Sequence, residues 1–240
     1  KYQKLCKLLN NAVKLNEPLA RFTTFKIGGQ ADLFYEARTG EELAGAVINA
    51  NRLEVTCFIL GGGTNLLIDD SGFRGLIIKN NTSKIFLRGI KGAFAKDGPS
   101  KKTVFVEADS GVAMNKLVRF TLDEGLSGLE MHLGLPGSVG GAVFMNSKWT
   151  KPTGYVGDAI YQAKIITLQN DIKNVPRDYF HFGYDQSILQ KTKEIVVSVT
   201  FTLKQGNKDK LWKIANDSIY YRKETQPQGV FSHGCTFRNI

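Results

Sequence analysis

The sequence predicts an α+β fold. Strand-like and helix-like segments are mixed without the regular βαβ rhythm of a doubly wound sheet, and strand-like runs follow one another, as in "KIFLRGI" and "TVFVEADS". The longest strand signal, "EIVVSVTFTLKQG" (194–206), alternates apolar and polar residues as a half-buried strand does.

In chain order, residues 1–15 read as an amphipathic helix. "DLFYEA" (32–37) alternates like a strand, and "GEELAGAVINANRL" (40–53) carries helical periodicity. "VTCFIL" (55–60) is a β-rich run that ends in glycine, and "GLIIK" (75–79) is a further strand. Residues 1–80 are therefore expected to form a first β-α-β-β unit and 81–206 a second. The second holds the strands quoted above, "YQAKIITLQ" (161–169), a helix in "GVAMNKLVRFTLDEG" (111–125) and a glycine-rich stretch. "QGNKDK" (205–210) reads as a charged linker, "LWKIANDSIYYRKE" (211–224) as a helix, and "TQPQGVFSHGCTFRNI" as a turn and a strand. Residues 207–240 are too few to bury a core of their own and are expected to open a third, incomplete unit. No repeat or low-complexity tract occurs.

Of 240 residues, 42% are hydrophobic and 22% charged, which is ordinary for a globular chain able to bury a core without staples. The three cysteines, Cys6, Cys57 and Cys235, are odd in number and lie at no metal-ligand or CxxC spacing. A reducing cytoplasm and no bound metal are expected. No apolar run reaches the ~18 residues that a membrane span needs, and the first residues, "KYQKLCKLLNNAVKL", have no signal-peptide core. The net charge of +10 raises the question of nucleic acid. However, the lysines are scattered through loop-like segments and no aromatics are interleaved with them, so nucleic acid is not the expected partner. A polyanionic small molecule, or a basic surface kept for solubility, fits the charge. No obligate protein partner is apparent.

Two glycine-rich loops carry the chemistry. In "LGGGTNLLIDDSGFRGLIIK" (60–79) a strand runs into three glycines, where consecutive amides can converge on an anion. No helix follows, so this is not a Rossmann dinucleotide loop; the plain alternative is a tight turn between strands. In "HLGLPGSVGGAVFMN" (132–146), Pro136 suits a first helical position and Ser138 a helix cap. Gly140 and Gly141 would let a flat ring or a pyrophosphate lie against the main chain, or would let the helix pack closely on a strand. Two such loops, seventy residues apart and in different units, suit a ligand with two ends, such as a dinucleotide.

These segments, together with "TTFKIGGQADLF" (23–34), "GLSGLEMHLGLPGSVGGAVFMN" (125–146), "FGYDQS" (182–187) and "RKETQP…GCTFRN" (222–239), resemble the UDP-N-acetylenolpyruvoylglucosamine reductase family, in family order and over nearly the whole chain. The resemblance implies the two-lobed FAD-binding fold of vanillyl-alcohol-oxidase-type flavoenzymes, with lobes at 1–80 and 81–206 and the start of a substrate-binding domain at 207–240. It implies FAD as cofactor and NADPH as hydride donor. The implied substrate is the enolpyruvyl ether of a UDP-sugar, reduced in cytoplasmic cell-wall precursor synthesis. It places the FAD pyrophosphate on Gly61, Gly62, Gly63, Thr64 and Asn65, with Leu66 beside them. Gly134, Pro136, Ser138, Val139, Gly140 and Gly141 would run along the pyrophosphate and flavin, while Ser110, Gly111 and Ile195 would line the cofactor. "KIGG" (26–29) would lie near the site.

In the family reaction hydride reaches the vinyl carbon C3, negative charge develops at C2, and an acid protonates C2. The resemblance puts Cys235 at the proton donor's position, usually a serine; a thiol with a reference pKa of ~8.5 keeps its proton at neutral pH. Asp185 stands where the family commonly has an arginine that steadies the substrate carboxylate. Either another cation, Arg222 or Lys26, substitutes for it, or the mechanism differs; the plain alternative is that Asp185 is a turn residue. No residue matches the family's C-terminal glutamate, and the chain looks C-terminally truncated. No tyrosine-bearing insertion precedes residue 211, which points to the open type. Lys148 and Lys151, in a segment longer and more cationic than expected, either meet the substrate's diphosphate or are solvated. A flavin-binding relative without this activity and a flavin oxidase of the same fold are the other readings.

Overall fold

The computed structural model describes residues 1–92, 102–151, 153–227 and 229–234. The chain divides into two units: Lys1–Thr82 with the described part of Gly229–Ile240, and Ser83–Gln228.

The first unit opens with α1 (Tyr2–Leu8), far shorter than the helix expected over 1–15. Asn10 and Asn11 adopt φ of 54° and 55°, a left-handed pair that ends the helix. The residues after them form β1 (Val13–Pro18). A 3-10 turn at Leu19–Phe22 leads through 23–29 into β2 (Gln30–Ala37), α2 (Gly40–Arg52), β3 (Cys57–Leu60) and β4 (Phe73–Asn80). Thr39 caps α2 by accepting from the Glu42 amide at 3.1 Å. The sheet order is β1-β2-β4-β3, with β1 antiparallel and the other three parallel. Leu43, Ala46, Val47 and Ala50 form the buried stripe of α2. Leu19, Phe34, Leu60 and Ile77 form a separate cluster, where Phe22 stacks on Phe34 at 4.5 Å. That cluster lies beneath the glycine turn and anchors both of its ends.

The second unit begins with β5 (Ile85–Gly92), β6 (Lys102–Asp109), α3 (Met114–Asp123), β7 (Leu126–Ser127) and α4 (Val139–Met145). A small hairpin follows, β8 (Lys148–Thr150) and β9 (Thr153–Tyr155). Then come β10 (Ile160–Ile166), β11 (Ile172–Pro176), α5 (Leu189–Thr192), β12 (Ile195–Gln205) and α6 (Lys208–Thr225). The antiparallel sheet runs β11-β10-β12-β6-β5, with β7 beside the end of β12. Val199, Phe201 and Leu203 of the central β12 are fully buried in the main core, and the intervening Ser198 and Thr200 are nearly so. The alternation that announced this strand is therefore of polarity rather than of exposure.

Two further local expectations change. The segment 205–210 is not a free linker: β12 runs to Gln205, and Asn207 caps α6 by accepting from the Lys210 amide at 2.9 Å. Pro136 is not the first residue of α4; Ser138 is its cap and Val139 its first residue. In the tail, 229–234 carry no strand, and the rest of the expected turn and strand, 235–240, lies outside the described residues. In addition, α6 sets Leu211 and Ala215 into the second unit's core.

Candidate cofactor and substrate site

In the first unit, the glycine turn follows β3 without regular structure until β4, as its composition implies. Gly63 has φ +66°, and a Cβ there would overlap the Phe22 carbonyl oxygen, so this glycine serves the chain's own close packing. Its carbonyl accepts from the Thr24 amide at 3.0 Å. Among the described residues, nothing takes a hydrogen bond from the amides of Gly61, Gly62, Gly63, Thr64 or Asn65. A cavity of about 280 Å³ adjoins the turn and is lined by Arg21, Phe22, Thr23, Thr24, Lys26, Gly62 and Lys79. Its charged lining is entirely cationic. Lys79 donates to the Gly61 carbonyl from beneath the turn, and burial holds its pKa below the ordinary lysine value.

Segment 229–234 belongs to this unit. The Thr24 hydroxyl donates to the Ser232 carbonyl at 2.6 Å, and the His233 ring meets the edge of Phe25 at 4.8 Å. A Cβ on Gly234 would stand 3.4 Å from the Asn65 side-chain oxygen. The residues just before position 235 thus lie against the glycine turn. Cys235 itself lies outside the described residues.

In the second unit the other loop is stitched to the turn after β6. The Val139 amide donates to Val112 at 2.8 Å, the Gly140 amide to Ser110 at 2.7 Å, and the Gly141 amide to the Ser138 hydroxyl at 3.3 Å. Ser110 in turn donates to Val197 at 2.9 Å, which ties the turn to β12, the strand that begins at Ile195. Ser110, Gly111, Ser138, Val139, Gly140 and Gly141 therefore come together. The first three amides of α4 are thus engaged inside the protein. A Cβ on Gly140 would lie 3.0 Å from that of Ser110, so this glycine lets the helix approach the turn. Gly141 meets only the Ser138 hydroxyl, at 3.5 Å, and leaves a face without a side chain.

Gly134 sits farther along, where its carbonyl accepts from Arg222 of α6 at 2.7 Å. Beside it His132 is almost completely buried, and desolvation lowers its pKa from 6.5 to about 4. Asp185 is a turn residue: its φ is 48°, and Gly183 and Gln186 bond each other across it. Asn146 fastens that turn to the end of α4, donating to the Gly183 carbonyl at 2.9 Å while its side-chain oxygen accepts from Gly157.

The sequence reading missed Lys79, Arg21 and Thr24 as site residues. The visible signal for Lys79 was a single cation closing the apolar run "GLIIK". Among the described residues no cluster of three or more His, Cys, Asp or Glu could hold a metal, and no helix is long and apolar enough to cross a membrane.

The residues of each unit, taken separately, fit FAD: in the first, consecutive amides unpaired among the described residues and a cationic wall match a diphosphate; in the second, a face bare of side chains matches a flat ring. Comparison with known proteins agrees. Residues 31–175 match the FAD binding domain family. The UDP-N-acetylenolpyruvoylglucosamine reductase of Clostridium botulinum is 34% identical over 95% of this chain and 70% of its own length. That of Lachnoclostridium phytofermentans is 32% identical over 94% and 70%. The crystal structure of the Thermus caldophilus reductase superposes with a TM-score of 0.73 at 28% identity, covering 95% of this chain and 74% of that one. A VAO-type flavoprotein from Myceliophthora thermophila shares the fold at 14% identity and a TM-score of 0.58, over 85% of this chain and 47% of that one. With relatives above 30% identity aligned along almost its whole length, the chain belongs to the UDP-N-acetylenolpyruvoylglucosamine reductase family.

Proposed function

We propose that this protein reduces the enolpyruvyl ether of UDP-N-acetylglucosamine to UDP-N-acetylmuramate, using FAD and NADPH, in cytoplasmic peptidoglycan precursor synthesis. The observation that carries this reading is the run of five amides, Gly61–Asn65, unpaired among the described residues, beside a wall made by Arg21, Lys26 and Lys79. Such a turn offers a diphosphate both hydrogen bonds and countercharge without rearrangement.

FAD held there would supply hydride transfer from NADPH to the substrate's vinyl carbon C3. The first unit's turn, including Gly61, Gly62, Gly63, Thr64, Asn65 and Leu66, holds the phosphates. In the second unit Ser110, Gly111, Ser138, Val139, Gly140 and Gly141 present a smooth surface to the ring system, with Gly134, Pro136 and Ile195 at its margins. Because the amides of α4 are engaged, this loop acts by shape and by its helix dipole rather than by free donors. Cys235 donates its thiol proton to C2 as charge develops there. A positioned acid of this kind typically contributes about 10²–10⁴-fold.

The test follows the flavin spectrum without oxygen. NADPH alone should bleach the yellow protein, and the enolpyruvyl UDP-sugar should then restore the colour. Bleaching that only oxygen reverses would instead mark a flavin oxidase, and no bleaching by NADPH would mark a relative without this reaction.

A further inference from the structure

The glycines after β3 let a ligand come close to the turn but give the turn no direction. The peptide between Gly61 and Gly62 has no side chain on either flank, so the turn itself does little to decide which way that peptide faces. A trans peptide carries its C=O and N–H on opposite edges, and whatever fixes one aims the other. Here the fixing comes from outside the turn. The Lys79 ammonium, on β4, donates to the Gly61 carbonyl, and the Thr24 amide donates to the Gly63 carbonyl at 3.0 Å. The Gly62 and Thr64 amides are thereby turned away from those anchors, and Gly62 lines the cavity beside the turn.

Strand register puts Lys79 where it can do this. It lies opposite Leu60, the last residue of β3, and shares a sheet face with Ile77, a member of the cluster under the turn. Its neighbour across β2 is Glu36, but that carboxylate is engaged by Lys14 at 3.0 Å and by the Asn81 side chain at 3.2 Å. Among the described residues Lys79 makes no ion pair. A half-buried ammonium without a carboxylate is costly, and the turn's carbonyl is the acceptor that it has.

We propose that Lys79 is a positioning residue: by holding the Gly61 carbonyl it presents the Gly62 amide to the diphosphate of the cofactor. Once released, the peptide is free to flip and to meet the same diphosphate with a carbonyl oxygen. One bond therefore decides between a donor and a repelling acceptor. This inference rests on the FAD reading given above.

Fluorescence titration of the flavin-free protein with FAD, together with amide NMR of the same samples, tests it. Lys79→Met keeps the apolar stem and removes the donor; it should bind FAD about tenfold more weakly or worse, the scale of a hydrogen bond with a charged partner. Lys79→Gln, neutral and shorter by one bond, should behave alike and replaces it if the methionine variant does not fold. Lys26→Met removes the same charge from an exposed residue of the cavity and should weaken binding by less than about fivefold. Lys79→Arg keeps a charged donor and should bind within about threefold of the parent. Before FAD is added, the Gly62 amide resonance should shift or broaden in Lys79→Met and stay in place in Lys26→Met. Parent-like binding by Lys79→Met, equal weakening by the two methionine variants, no recovery in Lys79→Arg, or an unmoved Gly62 resonance would each overturn the role of Lys79 and leave the FAD reading standing. A parent protein that does not bind FAD would overturn both.

Discussion

Arg222, in the last turn of α6, donates to the carbonyl of Gly134 at 2.7 Å across 88 positions of sequence. A Cβ on Gly134 would come within 2.8 Å of the Arg222 Cδ, so the absence of a side chain at one residue is what admits the other. The bond fixes the second glycine-rich loop to the final helix of the same unit. It also sets the guanidinium over the Trp149 ring at 5.5 Å.

The two residues act as a pair. Arg222→Ala leaves the Gly134 carbonyl without its donor and should cost about 1–3 kcal/mol in urea denaturation. Gly134→Ala displaces the flexible Arg222 side chain and should remove much of the same interaction. The double substitution should then cost clearly less than the sum of the singles. Strict additivity would show that the bond contributes nothing.

Gly63 and Gly141 separate fold from function. At Gly63, with φ +66° and the Phe22 carbonyl in the way, alanine combines backbone strain with a clash. It should destabilise by more than about 3 kcal/mol. Gly141 lies inside α4, and an added Cβ would find only ordinary contact with Ser138 at 3.5 Å. Gly141→Ala should leave the melting temperature unchanged or slightly raised, since alanine favours a helix by roughly 1 kcal/mol over glycine. If the bare face receives the flavin, the same variant should bind FAD at least tenfold more weakly in a fluorescence titration.

Ser138→Ala tests the cap. Its hydroxyl accepts from the Gly141 amide at 3.3 Å, and its loss should cost about 0.5–2 kcal/mol. The freed amide would then stand at the head of α4. Full stability in thermal melts of the variant would mean that the neighbouring backbone bonds hold the loop alone.

His132 makes stability depend on acidity. Burial lowers its folded pKa from 6.5 to about 4, so the unfolded chain binds the proton more readily. Stability from this group is complete above pH 6.5 and is lost as pH falls through the window from 6.5 to about 4. The loss is on the order of 3 kcal/mol at the acid end. His132→Leu should flatten the denaturation midpoint across that window; a midpoint as steep as the parent's would assign the acid sensitivity to the carboxylates.

Cys235→Ala should leave bleaching by NADPH intact and slow the sugar-dependent return of colour by a hundredfold or more. Cys235→Ser should restore most of that rate, because either side chain carries a proton to give. Equal slowing of both half-reactions in the alanine variant would make Cys235 a packing residue.

Much of this protein was legible in its residues alone. Strand and helix periodicity placed β10, β12, α2 and α3 close to their positions, and the glycine loops with their flanking segments carried the family resemblance. Misplaced elements were those decided by one or two local conformations or by partners. The left-handed Asn10–Asn11 pair ended α1 early, and Asn207 started α6 inside an apparent linker. β1 and β11, each an edge strand of its own sheet, carry too little apolar pattern to stand out.

The sequence by itself determined where the backbone is free of side chains, because glycine is a property of the chain. The tertiary structure decided which of those stretches still has donors to offer. Among the described residues the amides at Gly61–Asn65 have no partner, whereas at Val139–Gly141 they are taken by Val112, Ser110 and Ser138. An amide's availability depends on every acceptor that folding brings within about 3 Å of it, and most of those acceptors are distant in sequence.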